Sequence, residues 1–316
     1  MRISAVVGMW LDSPAEEALS TALLADRAGY EELWIGEVST WDAFALAAAV
    51  GIRTTRIALT VGPLAVAVRG PAGIAMGAAS VAALTGRRVG VALGTSSTTV
   101  VERWHGRSRA RPGLSLEETA RAIRPLLAGE RGSFDGELVR TDGFRLRLPP
   151  PGGPLTVAAF GPRAVATAAR HADRMAVNMV SAAQAAALRT LLDAASPGPR
   201  PALAAWLPAA VDPRPETYAQ LARGFVPYVS APGYAEMFSA AGFADLVALA
   251  RGGAPLKEVL RAVPRELAET VALVGDVPTI RDRIAEYAAA GVDEIAIFPA
   301  TSGDPGGERT LRALRP

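Results

Sequence analysis

Residues 56–97 read RIALTVGPLAVAVRGPAGIAMGAASVAALTGRRVGVALGTSS. Two short apolar runs, Ile57 to Val61 and Val89 to Leu93, flank an alanine-rich segment opened by Pro71 and closed by Thr85-Gly86. Proline suits the first helical turn, whose N–H has no partner inside the helix. Glycine suits the left-handed position just past the last turn. The stretch is therefore expected as strand, helix, strand. Strands joined in this way lie parallel, and short runs that are apolar at every residue are buried on both faces.

Working outward, the same unit recurs. Ile3 to Val7, Glu32 to Ile35, Leu155 to Ala159, Met175 to Asn178, Ala202 to Val211 and Glu294 to Phe298 are further expected strands. Helices are expected between them. One starts at Asp12-Ser13-Pro14 and ends at Gly29, one runs from Asp42 to Val50, and one from Ser115 to Leu127 with Ser115 and Glu118 spaced as a capping box. Others run from Pro162 to His171, Ser181 to Ala195 and Pro278 to Ala290, and a mainly helical stretch covers Pro215 to about Ala262. The segment ELVRTDGFRLRL alternates around Asp142-Gly143, a hairpin-turn signal. Eight strands alternating with helices fit an α/β fold, a (β/α)8 barrel, over residues 1–316 as one domain. Insertions are expected at about 95–114, 130–154 and 212–270. An open doubly wound sheet is the alternative, against which no Gly-x-Gly-x-x-Gly follows the first strand.

Composition narrows the function. Half of the 316 residues are hydrophobic and the formal net charge is +2. Lys257 is the only lysine and the arginines are scattered, so no basic stripe tracks a nucleic acid. No cysteine is present, which excludes disulfides, cysteine zinc sites and thiol nucleophiles, and fits a cytoplasmic protein. The start, MRISAVVGMWLD, reads as a strand rather than a signal peptide, and no run of about 20 apolar residues suggests a membrane span. No metal site is expected.

In a barrel of parallel strands the chemistry sits at the strands' C-terminal ends. Those ends read Gly8-Met9-Trp10, Gly36-Glu37-Val38, Gly62-Pro63, Gly94-Thr95-Ser96-Ser97 and Phe160-Gly161-Pro162-Arg163. At the last, a glycine opens a helix whose free N–H groups and positive dipole end suit a phosphate, with Arg163 adding charge. An ordinary Gly-Pro helix start reads the same. The hydroxyls of Thr95, Ser96 and Ser97 suit a polar ligand edge, or bonds to their own loop.

Four blocks carry a resemblance. RTTRIALTVGPLAV with VRGPAGIAMGAASVAALTGRRVGVALGTSS, then VERWHG, VAAFGPRAVATAARHADRMAVN and VGDVPTIRDRIAEYAAAGVDEIAIFP resemble, in order and spacing, the luciferase-like monooxygenase superfamily. Within it they are most similar to oxidoreductases that use the deazaflavin coenzyme F420. The resemblance implies a TIM barrel of the bacterial luciferase-like type. It implies that Ala159, Phe160, Gly161, Pro162 and Arg163 bind the coenzyme phosphate. Gly94, Thr95, Ser96 and Ser97 would lie beside its ring and side chain, and a cis Gly62-Pro63 bond against one ring face. It also implies a homodimer, through the helices from Ala43 to Val50 and Ala72 to Leu84, and a small-molecule substrate.

The chain departs from its relatives twice. Several carry Asp-His at the end of strand two, where this sequence has Glu37-Val38, and sugar-phosphate dehydrogenases carry a Glu where Ser97 stands. Glu37 is thus the acid nearest the expected ring, a candidate acid or base or else a structural carboxylate. His105 is the second candidate, at the pocket mouth or else fixing its loop. His171, Asp42, Trp10 and Trp41 have structural readings. With no obvious dehydrogenation base, reduction of an activated C=C, C=N or carbonyl by the reduced coenzyme is expected. The alternatives are an FMN-dependent monooxygenase on the same barrel and a non-catalytic binding protein on a decayed one.

Overall fold

The computed structural model describes residues 1–316 and closes eight parallel strands into a barrel. They are β1 (Arg2–Val7), β2 (Glu32–Ile35), β3 (Ala58–Ala65), β4 (Val89–Gly94), β5 (Gly152–Ala158), β6 (Arg174–Asn178), β7 (Ala202–Val211) and β8 (Glu294–Pro299). Each pairs with the next, and β8 closes onto β1 with Ser4 opposite Ala296. All eight expected strands are barrel strands. A short further strand, Leu273–Gly275, pairs with the far end of β7 at Ala209–Val211 and was not expected. Three residues are too few to show a period.

Helices cover the outside. Glycine ends the helices Glu17–Ala28 and Pro71–Thr85 in the left-handed conformation, at Gly29 and Gly86. Asp42 caps Ala43–Arg53, and Ser181 with Gln184 forms a reciprocal capping box on Ala182–Ala195. No helix is long and apolar enough to cross a membrane.

Three local expectations are corrected, each by a distant partner. The first helix starts at Glu17 rather than at Pro14. Asp12 and Ser13 do not cap it, because they accept from Gln220 and Arg223 of the helix Pro215–Val229. The helix expected at Ser115 starts at Pro112. Instead of closing a capping box, the Glu118 carboxylate accepts the backbone N–H groups of Glu137, Leu138 and Val139 at 2.8–2.9 Å. That carboxylate sets the hairpin turn between Gly132–Asp135 and Arg140–Phe144, so Asp142-Gly143 lies within the second hairpin strand. Gly143, at φ +63°, takes up the one-residue bulge there.

The barrel interior is layered. At its N-terminal end Arg174 donates to Glu294 and Glu32, each at 2.7 Å, and to Thr156 at 3.1 Å. Its guanidinium lies 4.0 Å from the Trp34 ring, whose Nε1 donates to Glu294 at 2.8 Å. Burial alone would raise the Glu32 carboxyl, but the Arg174 guanidinium outweighs it and holds the group below its usual range. Above this sit Val6, Trp34, Ala92, Ala176, Ala204, Trp206, Ala296 and Phe298, with the two tryptophans edge to face. The lower barrel interior is thus filled by side chains, so the barrel itself is open only toward its C-terminal end.

Candidate active site at the barrel mouth

Small residues keep the mouth open on the β3–β5 side. A Cβ on Gly94 would lie 3.1 Å from Pro63 Cβ and 3.8 Å from Ala158 Cβ, so any side chain there enters the gap between β3 and β5. The Gly62–Pro63 bond is cis. Gly62 stands at φ +115°, and a Cβ on it would meet the Ala92 carbonyl at 2.3 Å, so only glycine fits.

The Gly94-Thr95-Ser96-Ser97 end shows where its hydroxyls go. Ser97 Oγ accepts the Val100 N–H at 3.2 Å and heads a π-helical turn, Thr99–Trp104. Ser96 takes φ +54° and its carbonyl accepts Arg109 Nε at 2.9 Å. Thr95 is half-buried at the mouth, while Ser96 and Ser97 are exposed. His105 is exposed at the end of the turn, its N–H bonded to the Val100 carbonyl.

At the end of β5, Ala159 is buried and its N–H joins the Ala176 carbonyl at 3.0 Å. Gly161, Pro162 and Arg163 are exposed. The ten-residue helix Pro162–His171 has no side-chain cap, and nothing lies within 4 Å of a Cβ placed on Gly161. Its first N–H groups are open to an anion from the mouth side. The Arg163 side chain instead lies along the helix Pro112–Leu127, 3.6 Å from Glu117 and against Gly113.

Glu37 is held on all sides. Arg69 donates to its two carboxylate oxygens at 2.9 and 2.6 Å, and the Ala43 N–H donates at 3.0 Å. Arg69 also bonds Asp42, and its guanidinium holds its proton more tightly than usual, first through Glu37. Burial would raise the Asp42 carboxyl, but Arg69 and the N–H groups of Ala45 and Phe44 hold it low. The arrangement is an ion cluster on the rim beside β2. Arg69 carried no local signal, because its partners lie 32 and 27 residues away.

The opposite side of the mouth is aromatic. Trp10 stacks on Phe298 at 4.3 Å and donates to the Pro299 carbonyl at 2.7 Å. Gly224, on the helix Pro215–Val229, lets Trp10 approach, since a Cβ there would lie 2.8 Å from its ring. Tyr228, one turn on, meets the Tyr234 ring at 4.7 Å, and Tyr234 meets Phe160 at 4.6 Å. The insertion after β7 therefore crosses the mouth from Trp10 to Phe160. No three His, Cys, Asp or Glu side chains gather as a metal site.

Small residues at Pro63, Gly94 and Ala158 thus lie at the strand ends just before the uncapped helix that starts after Gly161. Residues 3–294 match the sequence profile of the luciferase-like monooxygenases. The chain belongs to that family. A Mycobacterium tuberculosis protein provisionally described as a coenzyme F420-dependent oxidoreductase is 26% identical over 99% of both chains. Among solved structures, the coenzyme F420-dependent tetrahydromethanopterin reductase of Methanopyrus kandleri superposes with a TM-score of 0.81. It is 17% identical and covers 100% of this chain and 98% of its own. The oxygenating component of 3,6-diketocamphane monooxygenase from Pseudomonas putida, in complex with FMN, superposes at 0.70. It is 15% identical and covers 100% of this chain and 97% of its own.

Proposed function

We propose that this luciferase-like protein is a coenzyme F420-dependent oxidoreductase that acts as a reductase on a small organic substrate. The observation that carries the reading is the pairing of small residues at three strand ends, Pro63, Gly94 and Ala158, with an uncapped, exposed helix N-terminus at Gly161 just after β5. The gap between β3 and β5 fits a fused ring and the helix end a phosphate. The full-length likeness to a chain described as F420-dependent favours the deazaflavin. When bound, that coenzyme supplies a hydride, two electrons at a time.

The protein's part is position and exclusion of water. Pro63 supports one ring face, Thr95 offers a hydroxyl to the ring edge, and the Gly161 N-terminus holds the phosphate. The substrate lies on the other ring face, under the Trp10 and Tyr228 roof, at the ~3–3.5 Å needed for transfer. Glu37 serves as the anchor of the β2 rim, because its two carboxylate oxygens are taken up by the Arg69 guanidinium and the Ala43 N–H. His105 shapes the loop after β4.

The test is anaerobic mixing of the protein, reduced F420 and a panel of activated alkenes, imines and ketones, followed by the return of oxidised-deazaflavin absorbance. Return with at least one class supports the reading, and no return with any class removes it. An FMN monooxygenase is the second reading, favoured by the likeness to the FMN-bound structure. Turnover of reduced FMN with oxygen and substrate would establish it instead. Absence of either turnover would leave a binding protein.

A second copy of the chain is the proposed partner. The helices Ala43–Arg53 and Pro71–Thr85 adjoin each other and expose Ile52, Met76 and Leu84. Light scattering should give twice the chain mass, and Met76→Glu should shift it toward the single chain.

A further inference from the structure

Tyr234 belongs to the insertion after β7, on the short helix Tyr234–Phe238, yet its hydroxyl meets a residue at the C-terminal end of a barrel strand. Asn178 is the last residue of β6. Side chains alternate along a strand, and Arg174 and Ala176 both face the barrel interior, so Asn178 faces the mouth one layer higher. Asn178 Nδ2 donates to Tyr234 Oη at 3.1 Å. The phenol oxygen is thereby fixed, while its own hydrogen meets no protein acceptor. A buried or half-buried O–H with an open donor position is a site for an acceptor on the ligand.

The environment keeps that proton in place. Burial pushes the Tyr234 hydroxyl well above its ordinary range, Tyr228 adds to the rise, and only the Asn178 bond opposes it. The rings packed against it are Phe160, Tyr228 and Phe238, all without charge. The charged groups of the opposite rim, Arg69, Glu37 and Asp42, satisfy one another.

We propose that Tyr234 Oη binds and protonates the oxygen of the substrate, and that this substrate is an uncharged ketone or aldehyde; the step rests on the hydride-transfer reading above. A carbonyl oxygen offers lone pairs to the phenol hydrogen and brings no charge among the uncharged rings. In the step, the carbonyl carbon receives the hydride and a C–H bond forms. The C=O π pair moves to oxygen, which takes the Tyr234 proton as the tyrosine O–H bond breaks. Tyrosinate then regains a proton from water. The two electrons come from the reduced deazaflavin, which leaves oxidised and releases its second hydrogen to water as a proton. One ketone and one reduced coenzyme give one alcohol and one oxidised coenzyme.

The test uses the whole chain and cyclohexanone as the probe, with Tyr234→Phe and Asn178→Ala. Binding is read by quenching of tryptophan fluorescence, with and without saturating oxidised F420. Turnover is read with reduced F420, and F420 binding is titrated separately in each sample. Tyr234→Phe should weaken cyclohexanone binding about 10-fold, one neutral hydrogen bond. It should slow reduction at least ~100-fold, the size of a lost general acid, with F420 affinity unchanged. Asn178→Ala, which frees the hydroxyl without removing it, should fall between. Equal ketone affinity in wild type and Tyr234→Phe, or no ketone binding by the wild type, overturns the proposal. Loss of F420 binding in the wild type overturns the coenzyme reading instead, and the ketone titration still decides the role of Tyr234.

Discussion

Gly94→Leu separates the coenzyme site from the rest of the barrel. Gly94 lies outside the left-handed region, so leucine can adopt its backbone. Its Cβ would stand 3.1 Å from Pro63 Cβ, whereas carbon pairs rest at about 3.5–4.0 Å. The neighbours must give by a few tenths of an ångström, a crowding cost of about 1–3 kcal/mol in stability. The branched end then fills the gap between Pro63 and Ala158. Denying a ring about 100 Å² of apolar contact forfeits ~2.5 kcal/mol at ~25 cal/mol per Å², which is roughly 60-fold in Kd. Gly94→Ala, which adds only the Cβ, should cost less than 10-fold. The assay is a coenzyme F420 fluorescence titration beside a thermal melt of each variant. A folded Gly94→Leu protein that binds F420 within threefold of wild type would refute the placement of the ring.

Three further outcomes follow from the same structure. Arg174→Met leaves the fully buried Glu294 without its main partner. It should cost about 3–5 kcal/mol, or roughly 5–8 °C in Tm for a chain of this size, and a loss under 1 kcal/mol by chemical denaturation would contradict the network. Glu118 is held low because the N–H groups of Leu138, Glu137 and Val139 outweigh its burial, which would raise it. A depressed carboxyl stabilises the fold above its unfolded pKa and loses that contribution as pH falls through the folded value. Protection from hydrogen exchange at residues 137–139, relative to the intrinsic rate at each pH, should therefore fall on acidification below about pH 4.5, the ordinary glutamate value. In Glu118→Gln that protection should be low at every pH. Arg69→Ala should loosen the β2 rim, with faster exchange at Ala43 and a stability loss of about 1 kcal/mol, since the pair is partly exposed. Unchanged exchange at Ala43 would show that Glu37 does not depend on Arg69.

The barrel was legible because its signals are local. Each strand is a short apolar run, and each Gly-Pro or capping residue marks a helix end within a few positions, as at Gly70-Pro71, Gly161-Pro162, Asp42 and Ser181. The misread boundaries share another cause. Ser13 and Glu118 have cap-like spacing, but Gln220 and the hairpin turn, far along the chain, take their side chains. The strand-end glycines of the mouth could be read for the same local reason. Tyr228 and Tyr234 could not, because only the folding of the insertion over β5 and β6 brings them to Phe160 and Asn178. Asn178 was within reach: period-two alternation from Arg174 points it inward. Arg69, between the third strand and Pro71, gave no local sign of its grip on Glu37.

The central claim, a deazaflavin reductase site at the barrel mouth, is tested most directly by parallel fluorescence titrations of the purified protein with coenzyme F420 and with FMN. The account predicts saturable binding of F420 and no saturation by FMN over the same concentrations. Tight FMN binding without F420 binding, or binding of neither, would contradict it.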